Sequence, residues 1–410
     1  MSTVVVVGAS VGGIKTAQAL RLEGFTGRIV LIDAEGVPAY DKPPLSKAYL
    51  QPDAPSTTIE LLTAEELASL DAEFKLGSPA QHLDTVARAV TLESGEVVPF
   101  DVLVIATGSR ARRSPWGEGP GIHVLRTSAD AERLRDELLP GRHLLIVGAG
   151  FIGAEVASTA LKHGVAVTMV DPLPAPMSRV LNQAVGDIFA AKHQKEGAST
   201  VFGHTVSSVT RNAGAFDVEL SNGHVLRADS VLVGIGAVVN TEWLEDSGLV
   251  LDNGVICGPG LHAVGAEGVF AVGDVARWTS TTRNEALRLE HWTNAVDQAK
   301  TVAHNIVHPG DPVDYETVEY VWSDQYDWRI QVIGRTGSED FEVLGDPADD
   351  KFAVLYEGDD GELLGAVVVN WPRALIACRR AVAERRIAAD LRAELAESLV
   401  RTRARVAAER

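Results

Sequence analysis

Apolar residues in this chain gather into short, nearly unbroken runs that end on glycine, and one run organises the rest. Leu144 to Val147 reads as a fully buried strand. Gly148, Gly150 and Gly153 follow at G-x-G-x-x-G spacing, and an alanine-rich helix then continues to about His163. A second apolar run, Val165 to Val170, closes on Asp171. Strand, glycine turn, helix, strand and an acid about 20 residues on make the dinucleotide-binding pattern. The turn lets backbone approach a pyrophosphate, the helix N-terminus attracts its charge, and the acid accepts from a ribose hydroxyl.

The start of the chain repeats this pattern. Thr3 to Val7 is a strand, followed by Gly8, Ser10 and Gly13, a helix to about Leu22, and the strand Arg28 to Ile32. Asp33 and Glu35 lie at its end. Ser10 stands where the pattern has its middle glycine. Its Cβ narrows the backbone approach to a phosphate, while its hydroxyl can donate to one. Two such folds predict two nucleotides held face to face, an arrangement for electron transfer between cofactors.

Later strands extend the duplication. Val97 to Ile105 alternates and ends at Ala106-Thr107-Gly108, and Val231 to Gly236 has the same form. Small residues there permit close approach of backbone to cofactor. Gly268 to Asp274 is an apolar strand ending in Gly-Asp, which sets a carboxylate at the strand edge where α/β sheets bind ligands.

Between these strands lies Tyr40-Asp41-Lys42-Pro43-Pro44-Leu45-Ser46-Lys47. Its prolines fix a turn, and Ser46 or its neighbour is placed to open a following helix. Lys42 and Lys47 face either a pyrophosphate or solvent. Arg110, Arg112 and Arg113 read as a basic crossing between domains. Ser128 and Asp130 offer caps for a helix over 131–138. His291 and Trp292 precede a helix over Asn294 to Ile306; Trp292 fits either a cover over a flavin face or a core tryptophan. His291 is either a proton donor or an ordinary helix-start residue. From Val318 the pattern shortens to strands near 320–322, 329–333, 352–356 and 363–370, then an arginine-rich helical tail. This predicts a smaller α+β domain over the cofactor site.

Composition narrows the class. A hydrophobic fraction of 46% suits a globular core, and no apolar run approaches the roughly 18 residues that span a bilayer. The N-terminus runs directly into a strand, so no signal peptide is expected. Only Cys257 and Cys378 occur, which excludes a disulfide framework and points to the cytoplasm. A net charge of −19 makes nucleic acid an improbable partner. Against that balance, residues 373–410 hold ten arginines and five acids. They form either a solvated helix face or a docking surface for an acidic partner.

The cysteine positions decide where electrons go. Flavoproteins with two dinucleotide folds that reduce disulfides carry a cysteine pair near the flavin, and peroxide and oxygen reductases carry one. The corresponding stretch, Asp41 to Leu50, has none. No His/Cys or Glu/His cluster shows metal-ligand spacing, and no G-x-S-x-G elbow occurs. Electrons are therefore expected to leave the chain.

Over nearly its whole length the sequence resembles the FAD-dependent ferredoxin reductases of oxygenase systems, a glutathione-reductase-like architecture without the redox disulfide. The shared strings are Asp41 to Lys47, Leu125-Arg126-Thr127, Gly148 to Glu155, Gly273-Asp274, Glu290-His291-Trp292 and Trp322-Ser323-Asp324-Gln325. The sequence departs from that family at Ser10 and at Val239, which stands where the family often has proline after G-x-G. The resemblance implies FAD on Gly8, Ser10, Gly12, Gly13 and Glu35, with Lys42, Lys47, Ala80, Thr107, Arg126, Asp274 and Trp292 completing its site. It implies NADH on Gly150, Phe151, Ile152 and Gly153, with Asp171 on the adenosine ribose and Glu155 near the nicotinamide carboxamide. Glu155 pairs with Lys47 before the nucleotide enters, and these two organise the reaction site. Trp322 lies near the flavin and the exit path.

The implied reaction is hydride transfer from NADH to flavin N5, then single-electron delivery to a [2Fe–2S] ferredoxin that feeds a cytochrome P450 or a Rieske dioxygenase. Alternatives are reduction of rubredoxin or another carrier, and a non-catalytic NADH sensor resembling apoptosis-inducing factor. Asp171 repels a 2′-phosphate and Pro172-Leu173-Pro174 supplies no arginine for one, so NADH is expected over NADPH. Arg379, Arg380, Arg385 and Arg386 are the candidate ferredoxin dock on a monomer or homodimer. The expected domains are FAD-binding at 1–112 and 243–318, NADH-binding at 113–242, and α+β at 319–410.

Overall fold

The computed structural model describes the backbone of residues 2–408 and the side chains of residues 2–398. The chain begins with β1 (Thr3–Val7), α1 (Val11–Leu22), β2 (Arg28–Ile32), β3 (Ala72–Lys75) and β4 (Val102–Ile105). It continues through β5 (Ile122–His123), α2 (Ser128–Arg135), β6 (His143–Val147), α3 (Phe151–Lys162), β7 (Ala166–Asp171), α4 (Gln183–Lys195), β8 (Ser199–Phe202) and β9 (Ser230–Val233). Then come β10 (Val269–Ala271) and α5 (Trp292–Val307). The last part holds β11 (Tyr320–Gln325), β12 (Trp328–Gly334), β13 (Phe341–Asp346), β14 (Lys351–Glu357), β15 (Leu363–Val369), α6 (Pro372–Ala383) and α7 (Ala388–Ala408). Among the described residues no helix is long and apolar enough to cross a membrane.

Two compact units divide these elements. The first comprises Met1–Lys42, Ser56–Arg110 and Ala237–Thr317. Its central sheet is parallel, in the order β10-β4-β1-β2-β3. The valines of β1 and the run Ile29 to Ile32 are closed to solvent on both faces, as a sheet covered on both sides requires. The core is completed by Ile14, Ala17 and Leu20 of α1 and Val302 and Ala303 of α5.

The second unit comprises Pro43–Pro55, Ala111–Gly236 and Val318–Arg410. Its parallel sheet, β8-β7-β6-β9-β5, repeats the first: β6 pairs β7 in the same register sense that β1 pairs β2. β9 stands beside β6 as β4 stands beside β1. The unit also holds an antiparallel sheet in the order β11-β12-β15-β14-β13. Both faces of that sheet are covered. Ile333, Ala353, Leu355 and Val368 meet α6 and α7 through Ala374, Cys378, Leu391 and Leu395. On the other face Trp328, Ile330, Phe352, Val354 and Val367 meet Val185 and Phe189 of α4.

Through this second contact the segments 43–55, 111–236 and 318–410 pack as one compact unit. The expected NADH-binding stretch, 113–242, and the expected α+β stretch, 319–410, each have their own sheet within this packing. Alternate residues on strands buried on both faces turn toward α4, an arrangement that hydrophobic runs alone do not distinguish from a free-standing sheet. Two local expectations change. Pro43–Ser46 and Ala48–Leu50 are single 3₁₀ turns instead of an α-helix. The helix expected at 131–138 begins earlier, because Thr127 is its cap and closes a capping box with Asp130.

Candidate functional site

In the first unit the sequence forces a cradle at the end of β1. Gly8 adopts φ +107°, and a Cβ there would lie 2.2 Å from the Ala106 carbonyl oxygen. Only glycine fits. A Cβ at Gly13 would lie 1.8 Å from the Gly8 carbonyl oxygen, so α1 starts directly against the loop. Ser10 caps α1 in extended geometry, and its hydroxyl makes no capping bond. Gly12 has more room, with Val272 as its nearest neighbour at 3.3 Å from a built Cβ.

The acids at the end of β2 divide the work. Asp33 accepts the Ala9 N–H on one oxygen and the Glu35 N–H, at 2.8 Å, on the other. Burial raises its pKa above the ordinary aspartate value, against these two bonds. Glu35 instead faces Tyr40, whose hydroxyl donates to it at 2.7 Å, and Lys42, whose Nζ stands 3.5 Å away and over the Tyr40 ring. Ala9, Ser10, Asp33, Glu35, Tyr40 and Lys42 line a shallow, open recess. A glycine-walled helix start beside an acid-lined recess has the chemistry a dinucleotide requires: N–H donors for phosphate and carboxylates for ribose.

The remaining first-unit candidates lie on loops and element ends of the same body. Thr107 donates through its hydroxyl to the Asn240 carbonyl at 2.8 Å, and the Asn240 side chain donates back to the Thr107 carbonyl. Asp274 accepts from Ser109 at 2.6 Å. The Trp292 indole N–H donates to Asp41 at 2.7 Å, and the ring is half-buried at the start of α5. Ala80 heads a short antiparallel strand, Ala80–Asp84, and is half-buried.

In the second unit the cradle recurs. Gly148 has φ +105°, and its Cβ would lie 2.2 Å from the Gly234 carbonyl oxygen; that of Gly153 would lie 2.0 Å from the Gly148 carbonyl oxygen. Gly150, the middle position, has nothing within 4 Å. Asp171 accepts the Ala149 N–H at 2.7 Å and the Leu173 N–H at 2.8 Å. Phe151 turns inward at the start of α3, packing against the cluster around Phe189, while Ile152 is exposed.

Glu155 is the buried charge of this unit, only 3% exposed. Lys47 Nζ stands 2.7 Å from its Oε2. Ser46 donates to the same oxygen, and Ser323 donates to Oε1 at 2.7 Å. Gln325 in turn donates to the Ser323 hydroxyl at 3.1 Å, and Thr159 donates to the Ser46 carbonyl at 3.1 Å. One ammonium and two hydroxyls therefore hold a carboxylate away from solvent, the pairing that a buried charge demands. Ser46 was read from the sequence only as a helix opener and Ser323 only as part of a shared string, neither as a partner of Glu155. Arg126 is half-buried ahead of α2, where its N–H donates to Asp130 at 3.1 Å.

The four arginines of the basic tail differ from one another. Arg379 lies over the Tyr320 ring at 4.7 Å, and Tyr320 stacks on Trp322. Arg380 pairs with Glu384 at 2.8 Å and Arg386 with Glu394 at 3.4 Å, so local acids offset both. Arg385 follows α6 with φ +51°. Cys257 and Cys378 are free and buried, and burial pushes both thiols up to about 12. Neither has thiolate character at neutral pH.

One cluster departs from the sequence reading, which found no Glu/His set at metal-ligand spacing. Glu23, His304 and His308 bring their ligand atoms within 4.8 Å of one another. The His-x-x-x-His spacing at one helix end was the available signal; its acid, Glu23, is remote in sequence and caps the helix packed beside it.

Residues 2–299 match the pyridine nucleotide-disulphide oxidoreductase family, and residues 320–404 match the family described as reductase C-terminal. Rhodocoxin reductase of Rhodococcus erythropolis is 34% identical over 93% of this chain and 89% of its own length. The ferredoxin–NAD(+) reductase component of the anthranilate 1,2-dioxygenase system of Burkholderia cepacia is 34% identical over 92% of this chain and 93% of its own. Among solved structures, the covalent putidaredoxin reductase–putidaredoxin complex superposes with a TM-score of 0.87 at 30% identity, covering 94% of this chain and 93% of that one.

Proposed function

Because the chain belongs to the pyridine nucleotide-disulphide oxidoreductase family, and to its ferredoxin-reductase branch, we propose that it is an FAD-dependent ferredoxin–NAD(+) reductase supplying an oxygenase. The observation that carries this reading is the paired cradle. Two glycine loops of matching geometry, each closed by a strand-end acid, lie on one chain whose relatives along nine-tenths of its length are reductases of this kind.

FAD, when bound, supplies the exchange between hydride chemistry and single-electron transfer. The chain's own residues bind and orient. Gly8, Ser10, Gly12 and Gly13 offer backbone to its pyrophosphate, and Glu35 offers a carboxylate to its ribose. Thr107, Asp274 and Trp292 belong to the same unit; Lys42 stands on the acid-lined recess. For NADH, the loop at Gly150 and Gly153 and the strand-end Asp171 play the matching parts. Asp171 disfavours a 2′-phosphate by charge. Glu155, fixed by Lys47, Ser46 and Ser323, is the acceptor offered to the nicotinamide end, and Lys47 neutralises it until that end arrives.

The partner is a [2Fe–2S] ferredoxin with an acidic face. Arg379 and Arg385 are the charges offered to it, since Arg380 and Arg386 are offset by Glu384 and Glu394. The setting is the cytoplasm, as a monomer or homodimer.

The test is multiple-turnover reduction of an added [2Fe–2S] ferredoxin by NADH. Sustained turnover is expected, with rubredoxin as a slower acceptor; NADH binding without turnover would overturn the reading. Raising ionic strength, or Arg379→Glu, should lower the ferredoxin rate and leave reduction of a small neutral dye unchanged.

A further inference from the structure

The C-terminal ends of α1 and α5, both in the first unit, carry a cluster that the redox function does not use. His304 lies in the last turn of α5, and His308 is the non-helical residue that caps it, its N–H donating to the His304 carbonyl. Glu23 is the residue that caps α1. Its Oε2 lies 3.1 Å from His308 Nε2 and 3.7 Å from His304 Nδ1. The imidazole rings stand with centroids 4.7 Å apart.

Second-sphere geometry sets the tautomer of His304. Its Nε2 is 3.1 Å from the Asp311 carbonyl oxygen, which can only accept, so Nε2 carries the proton. In the neutral ring Nδ1 then holds the lone pair, and Nδ1 faces Glu23. A carbonyl behind a metal-ligating imidazole is the usual device that orients such a ring.

The spacing also fits. Tetrahedral zinc with bonds of ~2.0–2.1 Å needs its ligand atoms ~3.4 Å apart. Both carboxylate–nitrogen distances bracket that value, and all three atoms lie within 4.8 Å. The remaining closure requires only rotation of His308, which is 45% exposed. Two helices end here, and their C-terminal partial charges favour a cation.

We propose that Glu23, His304 and His308 bind one divalent transition-metal ion of the zinc class, with water completing its shell. The site is a clasp, not a catalytic centre. α1 has 12 residues, so its glycine-loop end is about 18 Å away along the axis. The ion ties α1 to α5, the two helices whose opposite ends begin beside Ser10 and at Trp292. It therefore stabilises the first unit by mass action without touching the reaction.

The experiment is calorimetric titration of Zn²⁺ into the untagged, FAD-loaded full chain, with thermal unfolding followed in parallel. One ion per chain and a rise of about 3 °C in the unfolding temperature are expected. His304→Ala, His308→Ala and Glu23→Gln should each weaken binding at least tenfold and remove the rise. Their FAD absorbance and metal-free NADH oxidation should match those of the unsubstituted chain, which also reports that they fold. The proposal is overturned if the unsubstituted chain binds no stoichiometric Zn²⁺. It is equally overturned if the doubly substituted His304→Ala/His308→Ala chain binds with unchanged affinity.

Discussion

The two glycine loops of this molecule share their backbone and differ in their side chains. At Gly8 and at Gly148 the φ angle is nearly the same, and in each a Cβ would strike a neighbouring carbonyl at 2.2 Å. At both, the strand-end aspartate binds the N–H of the loop alanine and the N–H two residues beyond itself. What holds a pyrophosphate is thus duplicated. What distinguishes the two ligands is not: Glu35 with Tyr40 and Lys42 adorns the first loop, and Leu173 occupies the corresponding place in the second. Seven positions after the first glycine the contrast is sharper. The first helix has Lys15, half-buried and bonded to Gln18; the second has Glu155, buried and held from two other segments. A repeated frame therefore carries two unrelated chemistries.

The largest effects should come from breaking the frame in one half at a time. Gly148→Ala forces a side chain into left-handed backbone and onto the Gly234 carbonyl, a cost of at least ~3 kcal/mol locally. We expect FAD still to bind and NADH-dependent reduction to vanish. Gly8→Ala should do the reverse at the level of binding, giving a chain without FAD absorbance that still binds NAD(H). If either substitution abolished the binding of both nucleotides, the two loops would not be independent frames.

How much of this was legible follows from the range of each interaction. Glycine spacing, strand-end acids and the sheet positions of β4 and β9 are written locally, and they read correctly along the chain. So did the proximity of Lys47 and Glu155, but only through resemblance. Their hydroxyl partners were not legible. Ser46 and Glu155 are 109 residues apart, and Ser323 and Glu155 are 168 apart, with no period linking them. The union of the C-terminal sheet with α4 was hidden for the same reason. Trp328, Phe352 and Phe189 look like members of separate cores until the fold joins them.

Next in size is the buried pair. Lys47→Ala leaves the Glu155 carboxylate with hydroxyl donors alone, and should cost about 2–3 kcal/mol of stability, less than a fully buried pair because Lys47 is partly exposed. The double variant Lys47→Ala/Glu155→Gln removes both charges and should recover more than half of that loss in chemical denaturation. At the position that corresponds to Glu155 in the other half, Lys15→Ala should stay within ~0.5 kcal/mol. Equal costs at positions 15 and 47 would erase the distinction between frame and chemistry.

Asp171→Asn probes the same distinction at a single atom pair. The amide keeps one acceptor for the loop N–H groups and loses the charge that opposes a 2′-phosphate. The ratio of kcat/KM for NADH over NADPH should fall about tenfold, or ~1.4 kcal/mol. An unchanged ratio would remove Asp171 from nucleotide selection and leave it only its bonds to Ala149 and Leu173.

The smallest effect is the most informative about the middle position of the loops. Ser10 and Gly150 cap their helices with similar extended angles, and neither loop uses a side chain for the cap. A Cβ at Gly150 meets nothing within 4 Å. Serine at this place is therefore compatible with the frame, and glycine is not demanded by the backbone. Exchanging the two residues, as Ser10→Gly/Gly150→Ser, should change thermal stability by less than ~0.5 kcal/mol. Any larger consequence must then appear in cofactor affinity, where a hydroxyl has been moved from one pyrophosphate to the other. Titration of the exchanged chain with FAD and with NAD(H) separates the two outcomes. Affinities that shift in opposite directions would assign the Ser10 hydroxyl to phosphate binding, and affinities that stay fixed would make it a neutral occupant of an open position.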